Sequence, residues 1–359
     1  MDVSLIYELN TVDTSTDPIE VKRTYSDCLE QVQLADTLGY RTVWFTEHHF
    51  LPGFSHSSAP ELWLSYLAAK TENIRLGHGI VLLPFAINHP LRVAEHIAVL
   101  DVISGGRVEF GGGRAISESE LAAFGVDPED TRPQWLESLK MLPEMWTNDD
   151  FSWDSELMQI PTRTVTPHPV QDPHPPMWVA ATQPSTVEIA ADNGLGVLGF
   201  GIGVEGSNDL VELYRERIKK AKPIGKFVNN RFGLFLTTLC CETDEEALAI
   251  QGPNFDLYNQ QVKQLFAPWV DGKAPHSYEW FMEYWQQNQE AMQNITMEEI
   301  VANGGAAIGS VETVTKVFQH LKDAGVDEIL CFSQGYTTPN ESVKRSIELI
   351  ANEVMPALT

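Results

Sequence analysis

Basic residues are scarce. Lys and Arg number 24 against 50 Asp and Glu, a formal net charge of −26 with histidine neutral. A field of that sign repels phosphate backbones and argues against nucleic acid as a partner. Cysteine is scarcer still, with 4 in 359 residues. Cys28, Cys240, Cys241 and Cys331 show neither metal-ligand spacing nor a disulfide framework. The adjacent Cys240 and Cys241 stand in an apolar run and read as structural thiols. No other cluster supplies metal ligands, so no metal is expected. No apolar run approaches the ~18 residues of a membrane span. The opening Met1-Asp2-Val3-Ser4-Leu5-Ile6 lacks a basic region followed by an apolar stretch. No signal peptide or membrane partner is therefore expected, and the chain reads as cytoplasmic.

With 43% hydrophobic and 21% charged residues, the chain can bury a large core. Short β-rich runs fall at 3–7, 42–45, 75–81, 107–111, 177–181, 196–200, 231–240 and 328–332, with helical patterns between them. After the first run, Val21, Tyr25, Cys28, Leu29, Val32 and Ala35 keep a helical period, and Gly39 ends it. Residues 91–103 begin behind Pro90 and stop at Gly105-Gly106; residues 341–354 form the last helical stretch. Strands alternating with helices imply parallel βαβ units, and eight strands suggest a closed (β/α)8 TIM barrel formed by one domain over 1–359. A doubly wound open sheet is the rival, but a glycine-rich dinucleotide turn is missing after the first strand. Two stretches break the rhythm. Residues 146–175 read as an insertion before strand 5. Residues 250–308, after strand 7, carry Tyr258, Phe266, Trp269, Tyr278, Trp280, Phe281, Tyr284 and Trp285. They read either as a lid over a pocket or as a helical pair on the barrel's outside.

Active sites of such barrels lie at the C-terminal ends of the strands. Strand two ends in Glu47-His48-His49-Phe50. Adjacent strand residues point to opposite sides, so the two histidines do not serve one metal. One of them can face the mouth, where an imidazole titrates near neutrality; the other reading is a pair of core histidines. Strand four ends in Gly111-Gly112-Gly113-Arg114. Either a flat ligand approaches the bare backbone and Arg114 offers a planar fork to a phosphate, or the chain bends there and the arginine is a surface residue. Strand five runs into Ala181-Thr182-Gln183-Pro184-Ser185, with Glu188 three residues later. Ser185 and Glu188 read as a capping box, and the same helix N-terminus suits a phosphate. Arg132 stands just before another helical stretch.

These segments, with Leu76-Gly77-His78-Gly79-Ile80-Val81-Leu82-Leu83-Pro84, His89-Pro90-Leu91-Arg92, Leu100-Asp101-Val102-Ile103-Ser104-Gly105-Gly106-Arg107 and Phe124-Gly125-Val126-Asp127, resemble the bacterial luciferase-like flavin monooxygenases in order and spacing. The resemblance implies a (β/α)8 barrel that binds reduced flavin mononucleotide (FMN) at the strand C-termini. It puts His48 at the flavin's reactive edge for proton transfer. Arg114, Arg132, Thr182 and Ser185 fall on the phosphate, and Gly79–Ile80 on a non-proline cis peptide beneath the ring. The pattern also has departures. Gly113 replaces a reactive cysteine, Ser117 an active-site tyrosine, Ala181 a glutamate and Thr182 a serine. These changes argue against light emission on a long aldehyde.

The implied enzyme is a flavin-dependent monooxygenase that takes reduced FMN from a separate reductase and uses O2 to oxidise a small organic substrate such as an aldehyde or ketone. His48 is the expected acid/base group and Glu47 its orienting partner. A deazaflavin-dependent hydride transfer without O2 is the alternative, and a non-catalytic flavin-binding protein is a further one. Family members pair through helices corresponding to 59–69 and 91–100, where Leu62, Trp63, Tyr66, Leu67, Ile97 and Leu100 imply a homodimer.

Overall fold

The alternation of side chains along the first strand sets the plan of the molecule. In β1 (Asp2–Tyr7), Val3, Leu5 and Tyr7 pack outward into the main core, while Ile6 joins a second cluster inside the barrel. The pattern repeats in β2 (Thr42–Phe45), β3 (Arg75–Leu82), β4 (Val108–Gly113) and four later strands. The computed structural model describes residues 1–12, 17–115, 117–201, 203–270, 274–279, 282–283 and 295–358.

After a short antiparallel hairpin of β5 (Phe151–Asp154) and β6 (Gln159–Arg163), the barrel resumes with β7 (Met177–Ala180), β8 (Gly196–Phe200) and β9 (Phe232–Cys241). β10 (Ala307–Ser310) pairs only on β9, and β11 (Glu328–Phe332) sits between β9 and β1. Parallel pairing of β8 with β9 closes the ring of eight strands, a TIM barrel. All eight barrel strands fall where the sequence predicts them; the hairpin and β10 are additions. Gly77 on β3 leaves room for the Trp44 indole inside the barrel, since a Cβ there would stand 2.3 Å from it.

The helices follow their local signals. α1 (Pro18–Thr37) opens on Asp17, whose side chain accepts the Ile19 N–H, and buries Cys28, Val32 and Ala35. α2 (Pro60–Ala68) and α3 (Pro90–Ser104) both start on proline, and α3 ends on Gly105 with φ of 69°. Then come α4 (Glu118–Ala123), α5 (Thr131–Thr147), α6 (Pro184–Asp192), α7 (Val204–Ile218), α8 (Asp244–Val270), α9 (Met297–Ala302), α10 (Val311–Asp323) and α11 (Asn340–Leu349).

Two boundaries differ from the sequence reading. Trp146 belongs to α5, so the insertion before β7 starts after that helix. The stretch after β9 is one long helix followed by shorter pieces. Tyr258 and Leu265 of α8 join the cluster inside the barrel mouth, while Phe266 and Trp269 pack with Tyr278 on Leu82, Ala115 and Leu121. The described aromatics of that stretch, Tyr258, Phe266, Trp269 and Tyr278, thus pack at the mouth. Trp280, Phe281, Tyr284 and Trp285 lie outside the described residues.

Candidate active site and phosphate cradle

β2 stops at Phe45, so residues 46–49 leave the ladder and both histidines reach acidic partners. His48 is buried, and its Nδ1 lies 3.1 Å from Glu120 Oε1. Ser117 donates to the other oxygen of Glu120 at 2.7 Å, and the His49 N–H donates to Oε1 at 3.0 Å. Glu47 does not hold His48. Its Oε1 lies 2.9 Å from His49 Nε2, and it also accepts from Asn88 and the Leu82 N–H. The orienting partner of His48 is thus Glu120, and His49 pairs with Glu47 instead of filling a core position. Ser-x-x-Glu reads in sequence as a capping box, and Ser117 does accept the Glu120 N–H; only the fold shows the carboxylate bridging to His48.

Burial pulls the His48 pKa down. The hydrogen bond and charge of Glu120, with help from Glu8 and Glu47, outweigh it and hold the value above the ordinary one. The pKa of Glu120 is held low, because the contacts with His48, Ser117 and the His49 N–H exceed its cost of burial. With Nδ1 tied to a carboxylate, Nε2 is the nitrogen left to exchange a proton.

Sequence reasoning missed a third carboxylate. Glu8 directly follows β1, continues its inward alternation and is 3% exposed. Its bonds are long, 3.3 Å from the Tyr258 hydroxyl and 3.4 Å from Asn10 Nδ2. Burial pushes its carboxyl up to about 7, despite the nearby charge of His48.

The glycines of β4 serve strand packing. A Cβ at Gly111 would meet the His78 carbonyl at 2.4 Å, and one at Gly113 would meet Ile80 at 2.6 Å. The space beside Gly113 therefore belongs to Ile80, which also touches both clusters of the mouth. The Gly79–Ile80 peptide is not cis. The cis bonds among the described residues are Thr166–Pro167 and Asp172–Pro173, and β3 gains its irregularity from a register shift between His78 and Val81. A trans bond in a bulged strand avoids the ~3–4 kcal/mol cost of a non-proline cis peptide.

A cavity of about 440 Å³ is lined by Glu129, Arg132, Pro133, Gln183, Ser185, His276 and Ser277. Arg114 reaches its wall. Its guanidinium stacks 4.5 Å from the Tyr278 ring centre and sits 3.5 Å from the Ser277 carbonyl and from Thr131 Oγ1. Burial lowers the Arg114 pKa; the Tyr278 contact opposes that, while the charge of Arg132 adds to it. Neither arginine forms an ion pair among the described residues, although the chain holds about two acids per base. The buried Ser277 hydroxyl has no partner. Helix α6 begins at Pro184 behind Gln183 and has no side-chain cap. Ser185 is therefore inside the helix and not its cap, and Glu188 pairs with Arg217. Arginines without an ion pair, an orphan hydroxyl and the uncapped start of α6, where Pro184 has no N–H and the Thr186 N–H already bonds the Gln183 carbonyl, converge on one cavity, and this donor set fits a phosphate.

The other expected contacts are less direct. Thr182 is exposed and is not among the residues that line the cavity. Ala181 is buried in the outer core, its N–H held by the Leu198 carbonyl at 3.0 Å. Among the described residues no group of side chains could hold a metal ion, and no helix is long and apolar enough to cross a membrane.

The chain is similar to several known proteins. The chain is 28% identical over 351 residues to the "Flavin-dependent trigonelline monooxygenase, oxygenase component" of Acinetobacter baylyi, covering 94% of this chain and 91% of that one. In structure it matches the oxygenating constituent of 3,6-diketocamphane monooxygenase from a Pseudomonas putida plasmid, solved with FMN. The TM-score is 0.80 at 20% identity, covering 100% and 99% of the two chains. An F420-dependent secondary alcohol dehydrogenase shares the fold at a TM-score of 0.73 and 15% identity, covering 100% and 99%. The family model described as luciferase-like monooxygenase matches residues 5–328. This chain belongs to the luciferase-like monooxygenase family, a family of oxidoreductases.

Proposed function

We propose that the chain is the oxygenase component of a two-component system, taking reduced FMN from a separate reductase and using O2 to oxidise a small organic molecule. The observation that carries the reading is the pair of unpaired arginines beside the uncapped α6 N-terminus. Arg132 and Ser185 line the cavity directly, and Arg114 is braced against Tyr278 at its wall. The flavin phosphate would lie there, with Gly79, Ile80 and Gly113 flanking the way to the mouth. Thr182 and Ala181 would contribute through backbone at most. Reduced FMN bound there supplies the electrons that activate O2.

The chain's own residues bind, orient and move protons. Glu120 fixes the His48 ring through Nδ1 and keeps it charged more of the time near neutrality, so Nε2 holds a proton where the reaction takes place. Glu47 keeps His49 out of that role and ties the loop to β3 through the Leu82 N–H. The aromatic cluster under α8 excludes water from the mouth.

A homodimer completes the proposal. Leu62 and Tyr66 of α2 and Val99, Val102 and Ile103 of α3 are exposed side chains on adjoining helices. Leu67, Ile97 and Leu100 are buried within the subunit. A monomer mass in light scattering at micromolar concentration would remove that element.

The decisive experiment is calorimetric titration with FMN and with a deazaflavin, followed by oxygen uptake with chemically reduced FMN across a panel of small organic substrates. Tighter FMN binding and substrate-dependent oxygen uptake are expected. Preference for the deazaflavin, with hydride transfer and no oxygen uptake, would replace this reading with the alternative.

A further inference from the structure

The mouth of the barrel carries more negative charge than its known partners balance. Three carboxylates gather there, Glu8, Glu47 and Glu120, against the two imidazoles His48 and His49. Glu120 takes His48 and Glu47 takes His49. Glu8 is left without an ion pair among the described residues, buried, with two long bonds to neutral groups. Asn10 Oδ1 is buried without a partner, and so is the Tyr336 hydroxyl, which stands close to it but outside bonding geometry.

The Tyr258 that bonds this carboxylate belongs to a buried cluster of aromatic rings. Tyr258 lies 5.8 Å from Phe54 and 5.4 Å from Phe332 between ring centres, and Phe332 lies 5.1 Å from Phe235. Phe54 meets the His48 ring edge-on at 5.2 Å, which ties the cage to the proton-transferring residue. A desolvated carboxylate within a cage of π faces is the chemistry that recognises an alkylated or aromatic nitrogen cation. At long range, the net charge of −26 draws the same class of molecule toward the protein.

Resting on the oxygenase reading above, we infer that Glu8 anchors a positively charged nitrogen of the substrate, so that this oxygenase acts on small organic cations held by Phe54, Tyr258 and Phe332. The Tyr258 hydroxyl fixes the carboxylate from the α8 side, and Asn10 fixes it from the β1 side. A neutral substrate of the same shape would leave the Glu8 carboxylate desolvated and unpaired, which sets the direction of selectivity.

The test compares N-methylpyridinium with its neutral isostere toluene, with binding read by saturation-transfer NMR on the protein without flavin. The result is then independent of turnover and of the FMN site. The wild type should bind the cation roughly tenfold or more tightly than toluene, the scale of a buried cation contact. Glu8→Gln keeps the shape and removes the charge; it should bring the two ligands within about threefold while toluene binding holds. Equal or tighter binding of toluene by the wild type overturns the inference even if the variant does not fold. So does a folded Glu8→Gln that keeps the full preference for the cation. Failure of FMN to bind would instead count against the oxygenase reading and leave this comparison standing.

Discussion

The two ends of the barrel use buried charge in opposite ways. At the N-terminal end, Glu109 and Glu328 are almost fully buried, yet each is saturated. Glu109 accepts from Arg41, Arg75 and the Trp178 indole at 3.1, 2.5 and 2.7 Å. Glu328 accepts from Ser4, Trp44 and Arg231 at 2.6, 3.0 and 3.1 Å. At the C-terminal end, the carboxylates are shared with imidazoles or, at Glu8, held by long bonds alone. Arginine keeps its proton at any working pH, whereas histidine and a carboxyl near 7 exchange theirs. The bottom thus locks a fixed charge pattern, and the top keeps protons mobile. That division matches the general separation in such barrels between a stabilising face and a catalytic one.

The largest expected effect breaks the bottom. Glu109→Ala takes a shared carboxylate from Arg75 and Arg41 and the acceptor from the Trp178 N–H, and should cost about 3–5 kcal/mol in urea unfolding. Activity per folded molecule should stay near normal. A loss below about 1 kcal/mol would show that water or neighbouring residues replace the carboxylate, and the contrast between the ends would weaken.

Breaking the top should do the reverse. His48→Ala should lower single-turnover oxidation ~10²–10⁴-fold per folded molecule while FMN affinity moves little. His49→Ala removes the Glu47 contact and the ring packing on Phe124 and should fall well short of that range. If His49→Ala abolishes turnover at full flavin occupancy and His48→Ala does not, the roles are exchanged.

The phosphate cradle sharpens the contrast, because its arginines lack the carboxylates that occupy those at the bottom. Arg132→Ala removes a charged contact of about 1.5–3 kcal/mol, and FMN should bind roughly ten- to a hundredfold more weakly by calorimetry. Unchanged affinity would mean that the phosphate lies elsewhere.

How much of this was legible beforehand depends on range. All eight barrel strands appeared as β-rich runs because both sides of such a strand are buried and its residues cannot hide among polar neighbours. The hairpin and β10 are four or five residues each and carry no comparable run. Arg114, Arg132 and Ser185 were readable from the motifs, and the structure brings them around one cavity. The period of two does not extend to His48 and His49, because the strand ends at Phe45, yet the two rings still take different partners, Glu120 and Glu47. Glu120 and Glu8 were invisible for another reason. Each is one acid among 50, and only the closure of the barrel sets β1, the loop after β2 and α4 side by side.

Glu8 offers the finest test of the difference between the ends, since it reads stability and pH together. Its carboxyl is pushed up to about 7 by burial, against an ordinary value of 4.5. A carboxyl whose folded pKa is raised binds more protons in the native than in the unfolded state between those values. Stability is therefore lost as pH rises from about 4.5 to about 7, and the loss is complete above that. Glu8→Gln removes the titrating group and should stabilise the protein by about 2 kcal/mol more at pH 8 than at pH 4.5, following 1.36 kcal/mol per pKa unit with allowance for relaxation. Urea midpoints of wild type and variant at the two pH values measure it. A variant whose advantage is the same at both would show that the contacts of Glu8 offset its burial, and the mouth would then hold no surplus charge.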